Sequence, residues 1–321
     1  MEVLRAPTEE EVKASKFLSE HKEEQEQAYQ AIRDIISNKE TLNKILEDSN
    51  SLFKEQQAYL GEINTDKKIV FVGDTHGAFD VTLYTLMKFL RDDTVGKIVF
   101  LGDYVDRGPE SLENLILILR EALAEKEKGN EGKLVILRGN HESPITNYHY
   151  GFVNELSKKV PEYPYERFVE MFSNMPYAIT VNGYFCVHGG LAKDMNSDSL
   201  SPLLKDVKNL NSLPKGDQEP SDPVAMQLLW NDPRDCIDGF LPNVRGEGTF
   251  YFGRNVVEDF LASNNLKGII RAHEVKDGYS WEMDGKVITV FSSRYHQMSA
   301  GVLIMDENKS FHVLKILGEN E

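Results

Sequence analysis

Apolar and polar positions follow three different rhythms along the chain. Over residues 1–66 apolar residues recur at helical spacing, as in Tyr29, Ile32 and Ile36 and then Leu42, Ile45 and Leu46, against a background of Glu, Gln and Lys. Thr8-Glu9-Glu10-Glu11 and Ser37-Asn38-Lys39-Glu40 have the form of capping boxes, so this stretch predicts a helical lead-in whose charged face is solvated. From Lys67 the rhythm changes to short apolar runs separated by amphipathic stretches: KIVFVGD (68–74), a helix over about 80–91, KIVFLGD (97–103), a helix over about 111–128, and KLVILRGN (133–140). Such an order predicts βαβ units whose parallel strands are buried on both faces. The second half alternates with turn signals, Asn182-Gly183, Asp284-Gly285 and the polar DENKS of 306–310, and predicts hairpins. Residues 196–222, rich in Ser, Pro, Asn and Asp, read as a long surface loop.

Composition narrows the class. A chain of 321 residues that is 40% hydrophobic and 27% charged suits one large globular domain or two smaller ones. No apolar run approaches the roughly 20 residues of a membrane span, and MEVLRAPTEEEVK lacks the basic-then-apolar pattern of a secretion signal, so a cytoplasmic protein without membrane contact is expected. Cys186 and Cys236 lack metal or redox spacing and read as reduced, partly buried thiols. A net charge of −16 argues against nucleic acid as a ligand, and an anionic substrate would need a local positive charge.

The candidate chemistry lies where the strands end. Gly73-Asp74-Thr75-His76-Gly77, Gly102-Asp103-Tyr104-Val105-Asp106-Arg107-Gly108 and Gly139-Asn140-His141-Glu142 follow the three apolar runs; Val187-His188-Gly189-Gly190 and Arg271-Ala272-His273-Glu274 close two later ones. A single Gly-Asp or strand-end His is more often a turn or a hydrogen-bonded structural residue than a ligand. Their coincidence is what points to chemistry. Asp74, His76, Asp103, Asn140, His188 and His273 make a nitrogen and oxygen donor set suited to Mn, Fe or Zn. Six donors exceed the need of one catalytic ion, and a carboxylate such as Asp103 could bridge two ions at about 3.5–4 Å.

These motifs, GDTHG, GDYVDRG, GNHE, HGG and RAHE, with LLWNDP (228–233) and RGEGTFYFG (245–253), resemble those of the phosphoprotein phosphatase family, the metal-dependent serine/threonine phosphatases related to protein phosphatase type 1, type 2A and calcineurin. They occur in the family's order, and the helical lead-in is also similar. The resemblance implies an α/β fold of metallophosphoesterase type, a central β-sandwich of mixed sheets flanked by helices. It favours one compact domain, with 1–66 packed on a catalytic part of 67–321. It further implies one metal on Asp74, His76 and Asp103, and a second on Asp103, Asn140, His188 and His273. Mn would be the metal in vitro, with Fe or Zn as alternatives.

The activity it implies is hydrolysis of phosphoserine and phosphothreonine esters through in-line attack by a metal-bridging hydroxide. His141 would be the general acid, oriented by Asp106; Arg107, Arg245 and Tyr295 would bind the phosphoryl group. Glu142 has no chemical role here and is expected to make structural hydrogen bonds. The segment Ser292-Ser293-Arg294-Tyr295-His296 departs from the family's loop: His296 stands where some members carry a toxin-reactive cysteine, and Arg294 reads either as a cleft cation or as a salt-bridge partner. The residues 317–321 carry no calmodulin-binding helix, inhibitory segment or methylated tail, so regulation by those routes is not expected. Expected partners are phosphoproteins or phosphopeptides, with a regulatory subunit as a conceivable addition to a monomer. Two other readings compete. One is a small-molecule phosphoesterase such as a dinucleoside polyphosphate hydrolase, which shares the metal motifs; the other is an inactive scaffold, against which the intact donor set speaks.

Overall fold

The computed structural model describes residues 5–130, 132–294 and 298–318. Two six-stranded sheets form its centre. The first runs, edge to edge, Thr8–Lys13, Phe311–Leu317, Ala300–Met305, Lys68–Val72, Val95–Phe100 and Leu134–Ile136. The second runs Tyr279–Glu282, Val287–Val290, Gly268–Arg271, Tyr184–Val187, Ala178–Val181 and Tyr59–Ile63, and a small three-stranded sheet joins Asp232–Pro233, Phe250–Phe252 and Phe240–Pro242. Both large sheets are mixed: Lys68–Val72, Val95–Phe100 and Leu134–Ile136 are parallel, whereas Ala300–Met305 runs antiparallel to both its neighbours.

Strand periodicity explains the layering. In Lys68–Val72, Ile69 and Phe71 point into the space between the sheets, where they meet Ile179, Cys186, Ile270 and Ile288 of the second sheet. Val70 and Val72 point the other way, under the helices Phe79–Phe89 and Ser111–Glu127. On the far side, Phe185, Val187 and Ile269 pack beneath Pro223–Trp230 and Arg254–Asn264. The result is helix, sheet, sheet, helix. Unbroken apolar runs such as KIVFV are what a strand with both faces covered requires.

Asn182 and Gly183, both at positive φ (50° and 83°), form the two-residue turn between Ala178–Val181 and Tyr184–Val187, as Asn-Gly predicts. Ala300–Met305 and Phe311–Leu317 likewise form the hairpin expected around DENKS. Cys186 is buried between the sheets and Cys236 is exposed; both thiols are free.

Three local expectations are corrected. Thr8–Lys13 is not a helix start but a strand, parallel to Phe311–Leu317. The ladder, with Glu9 accepting from Tyr279 Oη (2.8 Å) and facing Lys315 Nζ (3.1 Å), overrides a helix preference worth only tenths of a kcal/mol per residue. Tyr59–Ile63, also within the helical lead-in, is the edge strand beside Ala178–Val181, and Tyr59 donates its hydroxyl to Thr180 Oγ1 (2.8 Å). The stretch 196–222 is not a plain loop: it contains the helix Pro202–Lys205 and the 3-10 turn Val207–Ser212, because Leu200, Leu204, Val207, Leu210 and Leu213 recur every three or four residues and are buried.

The helix Lys39–Glu55 begins at Asn38, not Ser37: Asn38 Oδ1 accepts from Glu40 and Thr41 N–H, both at 3.0 Å. Asn38→Ala should therefore cost about 1 kcal/mol and lower the thermal midpoint by roughly 1–3 °C. Ser37→Ala should leave the melt unchanged, since that hydroxyl bonds only the Asp34 carbonyl. Equal shifts from the two variants would refute the assignment.

Candidate metal centre

The carboxyl ends of five strands, three from the first sheet and two from the second, converge at one end of the sandwich. Backbone bonds tie the two sheets together there. Ser292 N–H donates to the Asp74 carbonyl (3.0 Å), and Gly73 N–H donates to Ser292 Oγ (2.8 Å). Close approach needs glycine: a Cβ on Gly102, at φ 105°, would lie 2.6 Å from the backbone of Gly139 and 2.9 Å from His188 Nδ1. His76, Asp103, Asp106, Arg107 and His273 all adopt positive φ, between 45° and 72°. For residues with a Cβ this conformation costs roughly 1–2 kcal/mol each, and such strain persists where the surrounding structure enforces a functional geometry.

All six expected donors are buried at this convergence. Asp103 is central. Its Oδ2 lies 3.6 Å from His76 Nε2 and its Oδ1 3.3 Å from His188 Nε2, while Asn140 Oδ1 is 2.8 Å from the same His188 nitrogen. Asp74 Oδ2 is 3.9 Å from His76 Nε2, and Asp74 Oδ1 accepts the His273 N–H at 2.8 Å. Two clusters could each hold a cation: His76, Asp103 and His141, and Asp103, His188 and His273. Asp103 belongs to both.

The imidazoles are prepared for ligation. His76 Nδ1 donates to the Val105 carbonyl at 2.8 Å, which leaves its Nε2 lone pair facing the carboxylates. His188 Nδ1 donates to the Leu101 carbonyl at 2.8 Å, and its Nε2 faces the acceptors Asn140 Oδ1 and Asp103 Oδ1. Burial works against a proton on that nitrogen, but Asp103 outweighs it and raises the ring to about 8, so Nε2 keeps a proton that a bound cation would displace. His273 Nε2 is buried with no hydrogen-bond partner, an orphan that a cation would satisfy. Burial, with His141 beside it, pushes His76 down to about 3, and burial holds His273 well below its usual range, so both are neutral as ligation demands. Burial and the neighbouring Asp103 push Asp74 up to about 6 and Glu142 to about 7; crowded carboxylates of this kind gain from a divalent cation. Burial opposes ionisation of Asp103, but His188 and His141 hold it well below the carboxylate range. The donor set therefore fits divalent metal.

His141, at the edge of the first cluster, also has a partner outside it. Its Nδ1 donates to Asp106 Oδ2 (2.8 Å), leaving Nε2 4.0 Å from Asp103 Oδ2. Burial works against its protonation, but Asp103 and Asp106 together raise its pKa. Glu142 makes the structural bonds expected of it: it accepts N–H groups of Asp103 and Gly139 at 2.8 Å and of Tyr104 at 2.9 Å, clasping two strand ends.

The arginines sit differently from one another. Arg245 Nε donates to Asp232 Oδ2 (2.5 Å) and Nη2 to the His273 carbonyl (3.3 Å), which holds its fork over the second cluster. Arg107 is exposed and stacks on the Tyr150 ring at 4.1 Å; that ring in turn packs on His141 at 5.1 Å. Arg294 forms a salt bridge with Asp80, so the second of its two readings holds. Tyr295 and His296 lie outside the described residues.

Several participants had no individual signal in the sequence. Asp232 was visible only inside LLWNDP and Arg271 only inside RAHE, yet the two form a fully buried pair at 2.8 Å. Asn147 bonds Asp106, Tyr150 packs on His141 and Tyr165 bonds Asn147, although nothing in their spacing marks them. Among the described residues, no helix is long and apolar enough to cross a membrane.

The chain is similar to several known proteins. Serine/threonine-protein phosphatase T of Saccharomyces cerevisiae is 34% identical over 264 residues, which cover 81% of this chain and 48% of that protein. A protein of Encephalitozoon cuniculi named as a probable serine/threonine-protein phosphatase is 33% identical over 267 residues, covering 82% of this chain and 54% of its own. The chain spans about half the length of these curated relatives. The solved structure of a protein serine/threonine phosphatase from Saccharomyces cerevisiae, described as similar to human phosphatase PP5, superposes with a TM-score of 0.75 at 28% identity, covering 88% of this chain and 91% of that one. A cold-active protein-tyrosine phosphatase of a psychrophilic Shewanella shares the fold, with a TM-score of 0.54 at 18% identity over 79% of this chain and 82% of its own. The calcineurin-like phosphoesterase model matches residues 67–277, the span that carries the strand-end donors from Asp74 to His273, and the chain belongs to that family.

Proposed function

We propose that the chain is a metal-dependent serine/threonine protein phosphatase. The observation that carries this reading is the hydrogen bond of 2.8 Å between His141 Nδ1 and Asp106 Oδ2 next to the six proposed metal ligands. A serine or threonine alkoxide is a poor leaving group, and a positioned general acid is worth about 10²- to 10⁴-fold for it. The names of the relatives and of the structural match agree with this substrate class.

Asp74, His76 and Asp103 would hold one divalent ion, and Asp103, Asn140, His188 and His273 another; we take Mn²⁺ as the ion in vitro, with Fe or Zn as alternatives. When bound, such ions neutralise phosphoryl charge and activate water near neutral pH. The chain's own residues do the rest. Arg245, fixed by Asp232, and Arg107 bind phosphoryl oxygens through their planar forks, with Tyr295 as a further contact. As the phosphorus–oxygen bond to the serine or threonine breaks, its electron pair passes to the side-chain oxygen. That oxygen takes the proton from His141 Nε2 and leaves as the alcohol. Asp106, accepting from Nδ1, stabilises the protonated imidazole beforehand. The proposed partners are phosphoproteins or phosphopeptides, with a regulatory subunit conceivable; the proposed site of action is the cytoplasm, as a monomer, with 1–66 and 67–321 forming one compact domain.

Phosphate release by the metal-stripped chain, before and after Mn²⁺ addition, tests the reading on a phosphothreonine peptide, a phosphotyrosine peptide and a dinucleoside tetraphosphate. Turnover should return only with metal and favour the phosphothreonine peptide, and His141→Asn should lose roughly 10²- to 10⁴-fold on that substrate. Preference for the nucleotide would make the protein a small-molecule phosphoesterase, and turnover of none would leave a scaffold.

A further inference from the structure

We propose that Asn147 is a positioning residue for the general acid, holding the His141 imidazole in register through Asp106 and through the His141 backbone at once. The inference rests on the assignment of His141 as general acid. Asn147 lies on the helix Pro144–Tyr150, five residues past the end of GNHE, and is completely buried. Its amide nitrogen donates to Asp106 Oδ2 (2.8 Å) and to the His141 carbonyl (2.6 Å). Its Oδ1 accepts from the Tyr165 hydroxyl at 2.7 Å.

The geometry leaves no freedom in how the amide is turned. A carboxylate and a carbonyl can only accept, so the NH₂ end must face them, and the oxygen must face the tyrosine donor. The two amide protons then grip both ends of one side chain. One reaches the acid that orients the ring, and the other reaches the backbone from which that ring springs. Asp106 needs such a grip, because its backbone is left-handed at φ 72°. Its carboxylate is held from three sides: His141 Nδ1 and Asn147 Nδ2 at Oδ2, and the Phe152 N–H at Oδ1, 2.9 Å away. Without Asn147, Asp106 Oδ2 keeps only the imidazole as its partner in these contacts and can swing with it. Proton delivery loses alignment while the six proposed metal ligands stay in place.

A positioning role of this kind has a signature that a purely structural role lacks: it depends on the leaving group. Nitrophenolate departs with little help from an acid, whereas a threonine alkoxide does not. In the Mn²⁺-loaded chain, Asn147→Ala should lower kcat for a phosphothreonine peptide roughly 10- to 100-fold, part of what the acid itself supplies. For p-nitrophenyl phosphate the change should stay within about threefold, with KM and bound metal per chain unchanged. Tyr165→Phe, which removes only the hydroxyl that orients the amide, should show the same split at smaller amplitude. Equal loss on both substrates, reduced metal content, or no loss on the peptide would overturn the proposal.

His141→Asn, assayed alongside, separates the two levels. If it shows no dependence on the leaving group, the general-acid assignment fails and the proposal falls with it. If it shows the split and Asn147→Ala does not, the proposal alone is wrong. Should Asn147→Ala fail to fold, Tyr165→Phe decides: a split supports the role, and its absence overturns it.

Discussion

Asp103→Ala should abolish useful turnover, with kcat/KM down roughly 10³-fold or more, because the variant loses the carboxylate common to both donor clusters. Oδ2 of Asp103 faces His76 and His141, and Oδ1 faces His188 while also accepting the His141 N–H at 2.9 Å. A single substitution thus weakens both clusters and loosens the loop that carries the proposed acid. A second readout is independent of activity. A ligand present at 100 times its Kd stabilises the native state by about 2.7 kcal/mol, so Mn²⁺ should raise the melting temperature of the native chain and leave that of Asp103→Ala nearly unmoved. An unchanged metal-dependent shift in the variant would remove Asp103 from the ligand set. Retained turnover would count against the whole centre.

The second large effect concerns stability. Arg271 is wholly buried, yet its donors are satisfied: Nε by the Gly189 carbonyl (2.6 Å), Nη1 by Glu274 Oε2 (2.8 Å), and Nη2 by Asp232 Oδ1 (2.8 Å) and the Asn231 carbonyl (3.3 Å). Arg271→Ala leaves a cavity and strands the buried Asp232 carboxylate with Arg245 as its remaining cation. Removing one member of a buried pair costs about 3–5 kcal/mol, which for a chain of this size lowers the melting temperature by roughly 4–8 °C. Arg271→Lys should recover less than half, since an ammonium cannot meet four acceptors arranged for a planar fork. Denaturant melts of the metal-free proteins measure the effect without contribution from the metal. A loss below about 1 kcal/mol would mean that Arg245 takes over the whole charge of Asp232.

Much of the architecture was legible because its determinants are local. In KIVFVGD the apolar run specifies a strand covered on both faces, and the donor follows within two residues, so strand and ligand are read together. In KIVFLGD and KLVILRGN the donors Asp103 and Asn140 follow three and four residues after their strands, still close enough to be read with them. Illegible features depend on partners far along the chain. Thr8–Lys13 reads as a helix start until Phe311–Leu317 is placed beside it. Asn147 has no signal of its own in the sequence; its place depends on Asp106, 41 positions away. Arg294 reads equally as a cleft cation and as a salt-bridge partner until Asp80 is placed beside it. Leu200 to Leu213 were hidden by the polar residues around them, which dilute a spacing of three to four.

The pairing of Thr8–Lys13 with Phe311–Leu317 also governs the order in which the molecule can be assembled. During synthesis the first strand emerges early but has no neighbour until roughly 300 further residues have followed, and contacts of such sequence separation are the slowest to form. Residues Lys68–Ile136, whose parallel strands and helices contact near neighbours, can condense while the chain is still growing. The amino-terminal strand, exposed at five of its six positions, closes the sheet last and carries little apolar surface that would aggregate while it waits.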